Sequence, residues 1–274
     1  MADFNIESAW MVGAWDDVER LVEKVQTRSS SLVMARLLLS MKQGDSALIT
    51  ESLSLARSVL GAPLVAAGGV KGYRRSYAAI LDLHLTHELD LIYRATNALP
   101  VGSQEDRAKA RRQVLRDLSS TLSSRLGATL PTFRSREPIL SMRRTAFSLW
   151  CVTSNFSKKF AYELSSANTR NGLEREIGRT WLASAKIARK AKQWQTAYSA
   201  VLQAVQNGAP FSCIESTKLL KATGEPLRAL HELENFMKDS RLFEVVDLMS
   251  DPEEDRMKGK VELAFLGFAS FDTF

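Results

Sequence analysis

A chain of 274 residues, 45% of them apolar and 25% charged, has the balance of a folded protein with a buried core and not that of a disordered tether. Its two cysteines, Cys151 and Cys213, are too few for a disulfide framework or a four-cysteine zinc site. The net charge of +6 is modest for this length and concentrates in RAKARRQVLR (107–116), RSR (134–136) and RR (143–144), where a solvated or protein-facing surface accounts for it without direct nucleic-acid contact.

MADFNIESAW opens with acidic residues where a secretory leader would carry basic ones. No apolar run is expected to reach the roughly 20 residues that cross a bilayer, and a reducing compartment fits the cysteine count. Prolines and glycines fall at breaks between runs of helical periodicity, and those runs lack the alternation of strands. The spacing predicts helices over 4–13, 16–27, 30–43 and 46–60. In the fourth, Ile49, Leu53, Ala56 and Leu60 form one stripe behind Asp45 as N-cap. Longer helices are expected over 72–98, 104–127, 137–152, 155–167 and 173–191, with Glu137-Pro138 marking the start of the third of these. The series closes with 194–207, 212–222 and 226–249, the last with a break allowed near Ser240.

Small residues recur within EIGRTWLASAKIARKAKQWQTAYSAVLQA (176–204). From Trp181, the residues Ala185, Ala188 and Ala191 fall on one helical face; past Lys192-Gln193, Ala197, Val201 and Ala204 line a second. Alanines on facing stripes let two helices approach toward the short end of the ~8–10 Å range, with a tryptophan filling the wedge at one end. The order Trp181, Ala185, Ala197, Ala204 follows the tetratricopeptide pattern, its proline falling one position late at Pro210. Gly224, Ala229, Leu233 and Phe236 repeat the motif, Ala229 lying 32 residues beyond Ala197. A third echo, GAWDDVERLVEK (13–24), aligns Trp15 with Trp194 and Val18 with Ala197. The drift in period marks a scaffold more than a dedicated peptide-binding array. The expected fold is all-α, a tetratricopeptide/HEAT-like helical-repeat solenoid, and the alanines answer a packing demand.

Residues that could carry chemistry are sparse. His84 and His87 with Glu88 read HLTHE, which matches neither H-E-x-x-H nor H-x-x-E-H, so they are expected to be packing or surface histidines. Neither cysteine has a paired histidine-and-acid motif, Gly68-Gly69 lacks the strand-then-helix context of a phosphate loop, and no G-x-S-x-G elbow occurs. No catalytic, cofactor-binding or metal-ligating residue is expected. The run QEDRAKARRQVLR (104–116) reads as a charged face or as an insertion.

Four blocks then match a known pattern in order: ESAWMVGAWDDVERLV (7–22), RSYAAILDLHLTHELDLI (75–92), SREPILSMRRTAFSLW (135–150) and WLASAKIARKAKQWQTAYSAVLQA (181–204). Together they resemble the FAT region of ATR-type checkpoint kinases, members of the phosphatidylinositol-3-kinase-related kinases. The resemblance implies a non-catalytic helical solenoid that cradles a kinase domain, touches other solenoid segments and carries part of a dimer contact. It also implies a nuclear role in DNA-damage signalling through a Ser/Thr kinase. No glycine-rich loop or Asp-Phe-Gly-type triplet lies in these residues, so no kinase activity is expected of them. The FAT-type region is expected over 1–250, and 251–274 is a tail of separate character: Phe265, Phe268, Phe271 and Phe274 recur every three residues. Two readings of the tail stand, a truncated gene product and an apolar segment docked on the last helix pair. The competing function is a stand-alone tetratricopeptide-like adaptor for a peptide or protein partner. End faces of incomplete repeats predict a marginally soluble or partner-dependent chain.

Overall fold

Serine, threonine and glycine punctuate the chain, and the helices between them are the fold. The computed structural model describes residues 2–25, 29–66, 72–97, 104–156, 167–209 and 211–239. Among them are eleven α-helices and no strand: α1 Ala2–Val12, α2 Trp15–Lys24, α3 Ser30–Gln43, α4 Ser46–Ala66, α5 Tyr73–Asn97, α6 Gln104–Gly127, α7 Phe133–Phe156, α8 Ala167–Lys190, α9 Trp194–Gln206, α10 Ser212–Ala222 and α11 Pro226–Asp239. The chain is all-α, built of helical hairpins in a solenoid-like series.

Local chemistry fixes the boundaries. Ser29 accepts from the Leu32 amide at 3.3 Å and opens α3; Gly44, at φ +78°, closes it by donating to the Ser40 carbonyl. Asp45 then accepts from the Ala47 amide at 2.9 Å, so one helix stops and the next starts within two residues. α7 departs from the sequence expectation. It begins at Phe133, placing Pro138 inside the helix instead of at its start. The cause is Thr132, whose hydroxyl accepts from the Ser135 amide at 3.3 Å while its carbonyl accepts from Arg136, a cap that wins over the proline.

Two compact units divide the chain, 1–177 and 178–274. In the first, α1, α2 and α3 pack on one another, α3 packs on α4, α4 on α5, and α5 on α6 and α7; α7 also returns to α1 and α3. That return explains α3. Leu32, Val33, Met34, Ala35, Leu37, Leu38, Leu39 and Met41 are all buried, because a helix apolar around most of its circumference must be packed on most sides, with Arg36 left facing solvent. Each fully buried leucine there contributes about 1.5–3 kcal/mol. The stripe Ile49, Leu53, Ala56 and Leu60 is the buried face of α4.

α4 corrects one expectation. It runs past 60, through Pro63, to Ala66, and the added apolar turns make it long and apolar enough to cross a membrane by length and composition. Its packing places it in the helix stack: one stripe lies against α3 and α5, while Ser46, Thr50, Glu51, Ser54 and Arg57 face solvent.

In the second unit, α9 packs on α10 and α10 on α11. Its core holds Ala185, Ala188, Ala197, Ala204, Ala229 and Leu233, each 0% exposed, together with Leu219 and Leu220. The expected helix over 155–167 falls largely outside the described residues, its ends belonging to α7 and α8. The continuation of the last helix over 240–249 and the tail 251–274 also lie outside them.

Candidate functional site: a buried charge cluster and small-residue packing

On α5 the apolar stripe Leu85, Leu89, Ile92 is interrupted by a carboxylate, Glu88, only 2% exposed. A charge that deep must be paired. Arg143 of α7 does so in a fork, Nε to Oε2 and Nη2 to Oε1, both at 2.7 Å, and its Nη2 also donates to the Leu122 carbonyl of α6 at 2.7 Å. His84, one turn earlier on α5, reaches Glu88 Oε1 through Nε2 at 2.8 Å. Its Nδ1 faces Arg125 Nη2 of α6 at 3.2 Å. A guanidinium can only donate, so Nδ1 is the acceptor and Nε2–H donates to Glu88. Three helices are joined through one carboxylate.

Burial alone would push the Glu88 carboxyl upward, but the hydrogen bonds from Arg143 and His84 outweigh it and hold the group below the usual range. Two residues further on α5, Asp90 is bonded by Arg57 of α4 and by Arg94, each at 2.8 Å. His87 lies exposed between these groups. Burial first, then the positive field of Arg125, lowers its pKa. HLTHE therefore serves ion pairing through His84 and Glu88. Among the described residues no group of three His, Cys, Asp or Glu side chains could hold a metal.

The sequence-selected packing residues fall in both units. Trp15, partly buried on α2, has Lys42 of α3 at 6.0 Å from its ring centroid, at the outer reach of a cation–π contact. Trp181 on α8 is also partly buried, while Ala185 and Ala188 below it are wholly enclosed. Ala191 lies in the turn after α8 and is exposed, so the stripe stops one residue short of the sequence expectation. On the next helix Ala197 and Ala204 are buried with Ala200 and Val201 between them. Gly178 shows how close the backbones come: a Cβ there would lie 2.9 Å from the Ala209 Cβ. Arg189 joins Glu215 of α10 at 2.6 Å, and Ser216 joins Glu232 of α11. Cys213 is enclosed, and burial pushes its thiol up to about 12, which leaves it protonated and inert. The side chain of Cys151 lies outside the described residues.

Pattern reasoning missed the Glu88–Arg143 pair. Its signal was a charge at a core position of each helix, between Leu85 and Leu89 on α5 and between Ile139 and Phe147 on α7.

One family model, the FAT domain, matches residues 2–259. The chain belongs to the FAT domain family. This FAT-domain chain is similar to proteins named serine/threonine-protein kinase ATR: 28% identical over 241 residues to the one from Arabidopsis thaliana, 27% over 243 to that of Oryza sativa subsp. japonica, and 28% over 236 to that of Drosophila melanogaster. The alignments cover 84–85% of this chain but only 8–9% of those relatives, so the FAT-domain chain spans less than a tenth of their length. No solved structure matches it.

Proposed function

We propose that this chain is a non-catalytic helical scaffold, part of the FAT region of an ATR-like serine/threonine-protein kinase acting in nuclear DNA-damage checkpoint signalling. The observation that carries the reading is the similarity to ATR kinases running along 84% of the chain in one alignment. In this role Trp15, Trp181, Ala185, Ala188, Ala197, Ala204 and Ala229 are packing residues. They let hairpins nest, so displacement at one end of the stack is passed on without a covalent step. The partners are a kinase domain, other solenoid segments of the same assembly and a second copy of the chain. No cofactor, membrane or nucleic acid enters the mechanism. Residues 1–250 form the scaffold and 251–274 a separate tail.

An antibody raised against residues 176–204, used on extract of the source cells, tests the reading. The expected result is a captured species far larger than 30.5 kDa that phosphorylates Ser/Thr peptides. Capture of a 30.5 kDa species alone, free of kinase activity, would replace the scaffold reading with that of a stand-alone adaptor.

A further inference from the structure

The Glu88 cluster holds two guanidinium groups by unequal means. Arg143, its side chain 5% exposed, is locked by the fork on Glu88 and by the Leu122 carbonyl. Arg125 of α6 is held more loosely. Its side chain is 26% exposed, and among the described residues it makes one side-chain hydrogen bond, to His84 Nδ1 at 3.2 Å, beside an ion pair with Glu88 at 3.6 Å. That hydrogen bond exists in one protonation state only. His84 Nε2–H already donates to Glu88 at 2.8 Å, so a second proton on the ring has only Nδ1 to bind. There it faces a guanidinium, which carries donors and no acceptor.

We propose that His84 is a proton-sensitive latch between α5 and α6: neutral, it bridges Glu88 to Arg125; protonated, it keeps Glu88 and releases Arg125, loosening the last turns of α6. The geometry decides which contact yields. An imidazolium strengthens its bond to a carboxylate that is 2% exposed, whereas two cations 3.2 Å apart repel. Arg143 is enclosed and doubly bonded, so the displaced group is Arg125, which already reaches solvent. The other charges near the ring are few. α5 itself supplies Glu88, His87 and Asp82; α4 supplies Arg57, turned to Asp90; α1 supplies Glu7, whose charge bears on Asp82; α3 meets Thr86 through the uncharged Met34. Burial and then Arg125 lower His87, while burial and then Glu7 raise Asp82, but neither side chain hydrogen-bonds to Arg125. The latch concerns groups within residues 82–143 and does not depend on the kinase reading.

Native-state hydrogen exchange of the 274-residue protein tests the latch, read as protection factors so that the intrinsic pH dependence of exchange drops out. Between about pH 8 and about pH 5, the span in which an imidazole takes up its second proton, residues 118–127 of α6 are expected to lose protection several-fold. Residues 139–147 of α7 are expected to keep theirs, because the Arg143 fork persists. In His84→Gln the side-chain amide donates to Glu88 and accepts from Arg125 but binds no proton, so the α6 change is expected to vanish. Arg125→Met removes the cation that faces Nδ1 and leaves Glu88, Arg143 and His84 joined, so α6 protection is expected to be low at both ends of the range. A response caused by Asp82 or His87 would survive both substitutions. Unchanged α6 protection in the wild type, an equal loss in α7, or a wild-type pH response in either variant would overturn the proposal.

Discussion

Glu88 shows what one buried charge does for a helical stack. Its cost of desolvation is met by a forked guanidinium and an imidazole, and that arrangement orients α5, α6 and α7 at a single point. Glu88→Ala would leave Arg143 buried without a counter-charge, and the expected loss is about 3–5 kcal/mol, read as a lower urea midpoint. The pH dependence has a definite sign. The folded carboxyl lies below its ordinary 4.5, so its contribution is complete above that value and is lost as pH falls through the folded one. Wild type is therefore expected to lose stability below pH 4.5 more steeply than Glu88→Gln, which has no proton to take up at that position. Parallel acid-unfolding curves for the two proteins would refute the assignment.

Between helices, small residues decide how near two backbones come. Gly178 tests this against helix propensity, which by itself predicts that Gly178→Ala stabilises α8 by about 1 kcal/mol. The new methyl would meet Ala209 at 2.9 Å, with backbone atoms at 3.2 Å behind it, so the expected result is a net loss in thermal melting instead. Ala197→Trp, at a position with no exposed surface, is expected to cost about 1–3 kcal/mol or more by overpacking, and an unchanged melt would contradict the packing role. The periodicity that located these alanines is a property of one helix at a time, which is why the α3, α6, α9 and α10 boundaries were legible to within a residue. Boundaries set by two competing local signals were not. Glu137-Pro138 looked like a start until the Thr132 cap placed the start four residues before 137, at Phe133, and Pro63 did not stop α4. Spacing also extended the α8 stripe to Ala191, which the turn at Lys192, at φ +59°, exposes.

Across the chain as a whole, similarity was legible because its blocks are linear in sequence. The charge cluster was not, because Arg143 and Glu88 are 55 residues apart and Arg125 and His84 are 41 apart, and no helical period links them. The same limit applies to surfaces. Isolated exposed apolar side chains are ordinary, but Tyr198, Leu202 and Val205 recur at i, i+4 and i+7 along α9, with Leu202 62% and Val205 55% exposed. On α1, Phe4, Met11 and Val12 form a second such face. A repeat protein buries faces of this kind against a neighbouring hairpin, and a chain that presents them to water gains by covering them with another copy. Sedimentation velocity of the purified chain is therefore expected to show concentration-dependent association. Leu202→Glu should reduce it, because a carboxylate introduced at an apolar contact must be desolvated for the contact to form. A single monomeric boundary at every concentration, or association indifferent to that substitution, would mean that the α9 stripe is not the face that seeks cover.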